Sequence, residues 1–337
     1  MNIVYLYPVF QKPTGGIKVI YKHSEMLQEN GVPSEILHSK NPKVSKGWLL
    51  PKPFIRGLDY RCSWFDHKAS IRSPKQKIDP EEDFVVIPEI WAAPYGNYLR
   101  KQGIHYAIFN QGAYSIKIGI RDLTEKDLRN AYENADIILS ISEDTTKVIN
   151  LKYPNINTNK IIRIVPGIDT NVFYPTHKEK IITYMPRRLP EHIKQMMFLL
   201  RDLLPAEWVF EPIDNFSENK VAALLSRSSI FMSFCDQEGC PLPPLEAAFS
   251  GNIVVGYTGQ GANEYFHMPV LRKVENGNFI EFTRAVLQAI ADIENGFLES
   301  KEVVEQVKSL KKSYSMESAL ANLLLFSDRV QSLMVTN

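Results

Sequence analysis

The feature that most constrains the fold of this chain is a short proline-rich segment between two apolar runs. The runs cover residues 230–234 and residues 253–257, and their length and composition are typical of buried strands. Between them, Pro243 and Pro244 suit the first turn of a helix, where a missing backbone N–H costs nothing. Gly251 is then placed to end that helix after about two turns. The segment therefore predicts strand, loop, short helix and strand.

Two acidic residues fall at the end of the predicted sheet where ligands bind. Glu238 lies in the loop after the first strand, and Glu246 lies on the short helix. Open parallel sheets bind ligands outside the carboxyl ends of their strands, where carboxylates can accept hydrogen bonds from the vicinal hydroxyls of a sugar or ribose. The amides of Gly239 and Cys240 are suitable donors for ligand oxygens. Solvated surface acids are the alternative, but the proline-rich context between two strands favours a binding site.

The spacing of these acids and the Leu-Pro-Pro-Leu-Glu-Ala sequence at residues 242–247 resemble the Glu-x7-Glu signature of the retaining glycosyltransferases of family four. Cys240 and Pro241 stand where that family commonly has Phe and Gly. The resemblance implies the GT-B fold, an α/β architecture of two Rossmann-like parallel-sheet domains that face a cleft, with a C-terminal helix returning to the first domain. It also implies a nucleotide-sugar donor held by one group of residues: Glu238, Gly239, Cys240, Pro241, Leu242 and Glu246.

The bulk composition is that of an ordinary protein with two domains. The chain has 337 residues, 44% of them hydrophobic and 23% charged, which is too long for one compact core. Its net charge of +1 gives no global preference for nucleic acid. No apolar run approaches the ~20 residues that cross a bilayer, and residues 1–7 predict a strand rather than a signal peptide. The scattered Cys62, Cys235 and Cys240 fit neither a disulfide framework nor a metal site, so we expect a cytoplasmic protein.

Three strand ends in the first half carry residues that we expect at the cleft. Gly15 and Gly16 separate the first predicted strand from a helix, which can bring phosphate against bare backbone, although a simple turn is the alternative. The pattern is not G-x-G-x-x-G, which argues against a nicotinamide enzyme. Glu89, Asn110 and Gln111 follow two further strands and are predicted on the acceptor side. The resembling family often has a histidine where Asn110 or Gln111 lies, and either amide could hold a sugar hydroxyl instead.

Residues 40–77 form a basic segment with interleaved aromatic residues. It contains ten basic residues, Arg72 among them, and only two acidic ones. A solvated basic face is one interpretation. The other is an electrostatic platform for an anionic acceptor or for the inner leaflet of a membrane, to which each basic residue contributes roughly 1 kcal/mol. Nucleic-acid binding is a weaker third interpretation.

The second domain is predicted to begin after a linker that is similar to the family's Pro-Asn-Gly-Val-Asp segment. A polar hinge is expected at residues 176–178. We expect three parts in all: an acceptor-side domain over 1–172, a donor domain over 173–313, and a returning helix over 314–337. A polar glycine loop at residues 258–264 follows another strand end, where it could meet the donor or serve only as a connection.

Paired arginines end the first strand of the second domain. The planar guanidinium groups of Arg187 and Arg188 suit phosphate oxygens, and pairing with nearby carboxylates is the alternative. In the resembling family an arginine and a later lysine contact the donor diphosphate. Arg187 matches that arginine, and either Arg188 or Lys194 would stand for the lysine.

These features and the family resemblance together imply a retaining, hexosyltransferase-type glycosyltransferase that moves a sugar from a nucleotide-diphosphate donor to a glycan or lipid-linked acceptor, in the synthesis of surface polysaccharide or glycoconjugate. Glu238 and Arg187 are the catalytic candidates, because positive groups must stabilise the leaving diphosphate and a carboxylate can support a cationic sugar. Without an Asp-x-Asp sequence, we expect no metal and no cofactor. The alternatives are a non-catalytic carbohydrate- or nucleotide-binding protein on the same fold and a nucleotide-sugar epimerase.

Overall fold

The computed structural model describes residues 1–9, 14–40, 55, 57–63 and 65–335. Contacts between residues divide the chain into two units. The first unit comprises residues 1–165 together with 319–337, and the second comprises residues 166–318. Each unit is built around one parallel sheet with helices between its strands, which confirms the predicted α/β class.

The first unit contains a sheet of six parallel strands in the order β2-β1-β3-β4-β5-β6. Its central strands are buried on both faces, as parallel sheets covered by helices require. Their carboxyl ends therefore meet at one edge of the sheet, where the loops to the helices begin. The strands are β1 (Asn2–Pro8), β2 (Ser34–Ser39), β3 (Asp83–Pro88), β4 (Tyr106–Asn110), β5 (Ile137–Ser140) and β6 (Ile161–Arg163).

Helices connect these strands, and two begin with side-chain caps. Thr124 and Asp127 form a reciprocal capping box, and the Ser142 hydroxyl accepts a hydrogen bond from the Thr145 N–H. The helices are α1 (Gly15–Glu29), α2 (Asn97–Lys101), α3 (Glu125–Asn134) and α4 (Glu143–Lys152). Single turns or irregular helices lie at Glu89–Trp91, Ala92–Gly96, Ala113–Ile120 and Thr158–Lys160.

Arg72 corrects part of the prediction for the basic segment. Its side chain is only 3% exposed, and it pairs with Asp83 at 2.8 Å and with Glu35 at 3.7 Å. A buried arginine paired with two carboxylates is part of the protein interior and contributes nothing to a surface platform. The platform prediction for residues 41–54, 56 and 64 lies outside the described residues.

The second unit contains a sheet of five parallel strands in the order β11-β10-β9-β7-β8. Its core joins side chains of the central strands to those of flanking helices, among them Ile182, Met196, Val255 and Phe282. The strands are β7 (Ile181–Tyr184), β8 (Val209–Pro212), β9 (Ile230–Glu238), β10 (Ile253–Gln260) and β11 (Leu271–Lys273). The helices are α5 (Pro190–Leu200), α6 (Glu218–Arg227), α7 (Leu242–Phe249), α8 (Phe279–Glu294) and α9 (Lys301–Ser313), with single turns at Gly261–Glu264 and Phe297–Glu299.

The proline-rich segment folds as strand, loop, short helix and strand, as predicted. Pro243 and Pro244 occupy the first turn of α7, and Gly251 follows that helix with a φ of +80°. Both strands are longer than the apolar runs indicate, because the β9–β10 pairing continues through polar residues as far as Glu238 and Gln260. Glu238 is therefore the last residue of β9 and does not lie in the loop after it.

The linker and the last helix complete the two units. The N–H of Ile168 donates to the Tyr314 carbonyl at 2.9 Å, which ties the linker to the second unit. The last helix, α10 (Met316–Val335), contributes its residues from 319 onward to the first unit, where Phe326 packs against Phe84 with ring centroids 5.9 Å apart. Within the described residues, none of the helices combines the length and the apolar character needed to cross a bilayer.

Lys178, in the expected polar hinge, has a partly buried side chain that is bonded to the second unit. Its ammonium group is largely buried and donates to the carbonyls of Leu225 at 3.3 Å, Ser228 at 2.7 Å and Ser250. These carbonyls lie at the carboxyl ends of α6 and α7, so one lysine binds both helix ends. Lys178 therefore fastens its segment to the second unit, and the hinge at residues 176–178 stays a prediction.

Candidate active site at the carboxyl end of the second sheet

The centre of the site is an ion pair between residues that follow neighbouring strands. Arg188 lies in the turn after β7, Glu238 ends β9, and Nη2 of the arginine is 2.7 Å from Oε1 of the acid. The Arg188 side chain is 54% exposed and that of Glu238 is 28% exposed, so the pair is accessible. Because β7 and β9 are adjacent and parallel, their carboxyl ends bring these residues together.

The electrostatics around Glu238 reflect a partly dehydrated carboxylate beside two arginines. Burial raises the pKa of Glu238 above its ordinary value, Arg188 and then Arg187 oppose that change, and Asp236 adds to it. Both predicted arginines therefore act on Glu238 through their charge. Guanidinium groups at the end of a strand are suitable partners for phosphate oxygens.

The turn that presents the arginines has an uncommon backbone. Leu189 adopts left-handed values, φ 44° and ψ 55°, immediately before Pro190 begins α5. Such values are costly for a residue other than glycine and cluster at ligand sites. Lys194, one turn into α5, pairs instead with Glu191 at 2.7 Å, and both side chains are more than 70% exposed. The structure therefore places Lys194 in a surface pair on the helix and not in the ion pair with Glu238.

Glu246 lies in the second turn of α7 and is 7% exposed. The beginning of the helix is fixed from outside, because the buried Tyr265 hydroxyl donates to the Pro241 carbonyl at 2.9 Å. A carboxylate so far removed from water needs polar partners. Its position one helix after Glu238, at the same end of the sheet, agrees with the predicted strand–loop–helix placement of both acids.

Two glycines at the end of β10 lie very close to the backbone at the end of β9. A Cβ atom added to Gly261 would lie 1.9 Å from the Gly239 carbonyl oxygen, and one added to Gly259 would lie 2.3 Å from the Asp236 carbonyl oxygen. Only glycine permits this close backbone approach. The sequence signals the glycines but not the residue between them, Gln260, which takes φ +71° and ψ −51°.

In the first unit, three predicted residues come together at the carboxyl end of its own sheet. The Gln111 side chain donates to the Gly16 carbonyl at 3.0 Å, and the Gln111 backbone N–H donates to the Glu89 carboxylate at 3.3 Å. Gly15 is exposed next to Gly16, at the start of α1. Burial raises the pKa of Glu89 to about 7, although N–H groups of Glu89, Gln111 and Gly112 lower it.

Asn110 does not face an open edge, contrary to the prediction of an acceptor contact. Its side chain is fully buried and donates to the Leu139 carbonyl at 3.3 Å and to the Ile108 carbonyl at 3.4 Å. The Tyr132 hydroxyl donates to its Oδ1. The amide therefore fastens β4 to β5 within the protein, and Gln111 is the neighbour that reaches the edge.

In the described part of the chain, no group of three or more histidine, cysteine or acidic side chains could hold a metal ion. Cys235 and Cys240 lie near Glu238 without forming such a group. Burial raises the pKa of the Cys235 thiol to about 12, so this thiol is neutral at ordinary pH.

Comparison with solved structures identifies the architecture. Sucrose-phosphate synthase from Thermosynechococcus elongatus superposes with a TM-score of 0.66 over 100% of both chains, at 14% identity. The Anabaena HepE protein in complex with UDP gives a TM-score of 0.65, with 98% of this chain and 100% of that chain covered, at 11% identity. The lipopolysaccharide outer core galactosyltransferase WaaB gives 0.64, covering 98% and 99%, at 14% identity. The chain has the GT-B fold.

Sequence comparison finds one curated relative, which matches part of this GT-B protein. An alpha-1,6-glucosyltransferase of Actinobacillus pleuropneumoniae serotype 7 is 28% identical over 158 residues, which cover 44% of this chain and 48% of the relative. The match thus spans about half of the relative's length. No family model matches the chain.

Proposed function

We propose that this chain is a glycosyltransferase that moves a hexosyl group from a nucleotide-diphosphate sugar to a glycan or lipid-linked acceptor, with retention of configuration at the anomeric carbon and without a metal ion. The observation that carries the proposal is the Arg188–Glu238 pair at the carboxyl end of the second sheet, with Arg187 beside it. The GT-B fold and the name of the partial glucosyltransferase relative support it.

The arginines account for the departure of the nucleotide. In the transfer, the bond between the anomeric carbon and the diphosphate oxygen breaks, and the leaving diphosphate gains negative charge. Arg187 and Arg188 would stabilise that charge in the transition state through charge-assisted hydrogen bonds. The acceptor hydroxyl oxygen forms the new bond to the same carbon, and its proton passes to the departing diphosphate.

The acids account for recognition of the donor. Glu246 would accept hydrogen bonds from the two ribose hydroxyls, and Glu238 from hydroxyls of the sugar. Amides of Gly239 and Cys240, followed by Pro241 and Leu242 at the start of α7, would complete the binding loop. The charge of Glu238 would also favour the cationic character that the sugar acquires in the transition state.

We assign the acceptor to the first unit. Glu89 and Gln111 lie together at the carboxyl end of its sheet, and both can exchange hydrogen bonds with sugar hydroxyls. Gly15 and Gly16 offer backbone N–H groups at the start of α1 to an anionic or hydroxyl oxygen. Asn110 supports this edge from within, through its bonds to β5 and α3.

The direct experiment measures thermal stabilisation and turnover with a panel of uridine, guanosine, adenosine and thymidine diphosphate sugars. Arg187→Ala and Glu246→Ala should abolish turnover while the protein stays folded. Arg201→Ala is the matched control, because that exposed arginine lies at the opposite end of α5 from the turn with Arg187. Full activity of either site variant would overturn the proposal.

The same assay separates the alternatives by product. Donor binding without transfer or hydrolysis would indicate a non-catalytic binding protein on the same fold. A rearranged sugar without transfer would indicate an epimerase.

A further inference from the structure

Gln260 has a strained backbone at an exposed position beside Glu238. Its φ of +71° and ψ of −51° are close to those of the classic γ-turn, which is rare and strained for a residue with a side chain. The two residues are register partners at the ends of β10 and β9, after an irregularity between Thr258 and Gln260. Strain of this kind persists only where the surroundings enforce it, and it clusters at ligand sites.

The surroundings enforce this conformation through the flanking glycines. A Cβ atom added to Gly259 would lie 2.3 Å from the carbonyl oxygen of Asp236 in β9, and one added to Gly261 would lie 1.9 Å from that of Gly239, just after β9. The same hypothetical Cβ of Gly259 would lie 3.0 Å from Cβ of Glu238. The chain at residues 259–261 is thus fixed against the segment that carries the proposed sugar-binding acid.

A short hydrogen-bond chain orients the Gln260 carboxamide. The Asn263 side chain donates to Oε1 of Gln260 at 3.0 Å, and the Thr258 hydroxyl donates to Oδ1 of Asn263 at 2.9 Å. The backbone N–H of Gln260 donates in turn to the Thr258 hydroxyl at 3.3 Å. Within the described residues, no acceptor binds Nε2 of Gln260, and the residue is exposed at the strand end opposite Glu238.

We propose that Gln260 is a specificity-determining residue that donates a hydrogen bond from Nε2 to a hydroxyl oxygen of the donor sugar. The inference rests on the proposed function and deepens it. Glu238 is a hydrogen-bond acceptor and Gln260 is a donor, and the backbone holds them side by side. Such a pair distinguishes the orientation of two neighbouring sugar hydroxyls, because an epimer satisfies only one of the two groups.

The test separates binding of the sugar from binding of the nucleotide. Probes are UDP, ADP, GDP and TDP, each alone and as its glucosyl ester, together with UDP-galactose and UDP-N-acetylglucosamine. The wild-type protein identifies the preferred sugar ester and its free diphosphate. In Gln260→Gly, affinity for that ester should fall roughly tenfold, as expected for one lost hydrogen bond, with affinity for the free diphosphate unchanged. The melting temperature should rise, because glycine relieves the strain.

Two further variants sharpen the result. Gln260→Glu replaces the donor with a second carboxylate beside Glu238 and should weaken sugar-ester binding more than the glycine variant does. Gln288→Ala removes another exposed carboxamide, which donates to Asp292 within α8 at 2.8 Å, and should change neither affinity.

Each outcome decides the question. Equal sugar-ester affinity in wild-type and Gln260→Gly protein would overturn the inference and leave the proposed function standing. An equal loss for ester and free diphosphate would assign Gln260 a purely structural role. Failure of the wild-type protein to bind any probe would overturn the proposed function, and this inference with it.

Discussion

Nη2 of Arg188 and Oε1 of Glu238 are 2.7 Å apart, so the proposed phosphate-binding arginine pairs with the proposed sugar-binding acid. A diphosphate that approaches Arg188 must compete with this carboxylate and is repelled by it. In the proposed donor complex, the two groups would favour the intact sugar nucleotide over the free diphosphate, because the sugar would place hydroxyls, and not phosphate charge, against the acid.

Glu238→Gln should change binding and catalysis in opposite directions. Removing the carboxylate frees Arg188, so affinity for the free nucleoside diphosphate should rise roughly three- to tenfold, or by about 0.7–1.4 kcal/mol. Transfer should be lost, since the charge that supports the cationic sugar is gone. Isothermal titration with UDP and a transfer assay measure the two effects. Weaker diphosphate binding by Glu238→Gln would contradict the competition.

Glu89 should make the protein less stable as pH rises from about 4.5 to about 7. Its pKa is raised from an ordinary 4.5 to about 7 by burial, so the folded state binds more protons than the unfolded state between these values. Stability therefore falls as pH rises across that window. Glu89→Gln should raise the free energy of unfolding by about 2–3 kcal/mol at pH 8 and change it little at pH 5.

Urea unfolding at both pH values tests this prediction. Glu81→Gln is the matched control, because that acid is exposed in the same unit, just before β3. A Glu89→Gln variant with the same pH dependence as the wild-type protein would show that the carboxyl is ionised normally.

Local patterns predicted the element types because prolines and glycines act locally. The prolines in α7 and the glycine after it define that helix without reference to the rest of the chain. The extra length of β9 and β10 depends on the partner strand, since Cys235 and Glu238 pair with Thr258 and Gln260 of β10. Hydrophobic periodicity indicates only the apolar part of each strand.

Burial of polar residues was the part of the site that the sequence did not reveal. Asn110 is internal because Tyr132 and Leu139, distant in sequence, supply its hydrogen bonds. Arg72 is buried, unlike a surface basic residue, because it pairs with the buried Asp83. In each case the partner is set by the tertiary fold, and residue type alone suggested an exposed role.

Gly261→Ala should disrupt the site by steric contact alone. The new methyl carbon would lie 1.9 Å from the Gly239 carbonyl oxygen and 2.6 Å from the Glu238 carbonyl oxygen, so the loop after β9 must move. We expect a loss of roughly 3 kcal/mol or more of stability, together with loss of donor binding.

Gly277→Ala gives the comparison, measured by thermal unfolding and donor titration. Gly277 has a φ of +83° but nothing within 4 Å of its added Cβ, so only the backbone conformation is penalised. That variant should lose about 1 kcal/mol and keep donor binding. Equal behaviour of the two alanine variants would rule out a specific role for the close contact of Gly261.

Lys178 should stabilise the second unit more strongly as pH rises above neutrality. It donates to carbonyls at the ends of α6 and α7, and Lys178→Ala leaves them without this donor at a cost of about 2–4 kcal/mol. Burial, with a smaller effect of Lys311, lowers its pKa from 10.5 to about 7. Between these values the unfolded state binds more protons, so the wild-type protein gains stability with rising pH, and the alanine variant lacks this gain.

Urea unfolding at pH 7 and pH 9 should therefore show a larger loss of stability for Lys178→Ala at pH 9. Lys308→Ala, an exposed lysine on α9, should show none. A Lys178→Ala penalty that is the same at both pH values would mean that this ammonium keeps its charge throughout the range.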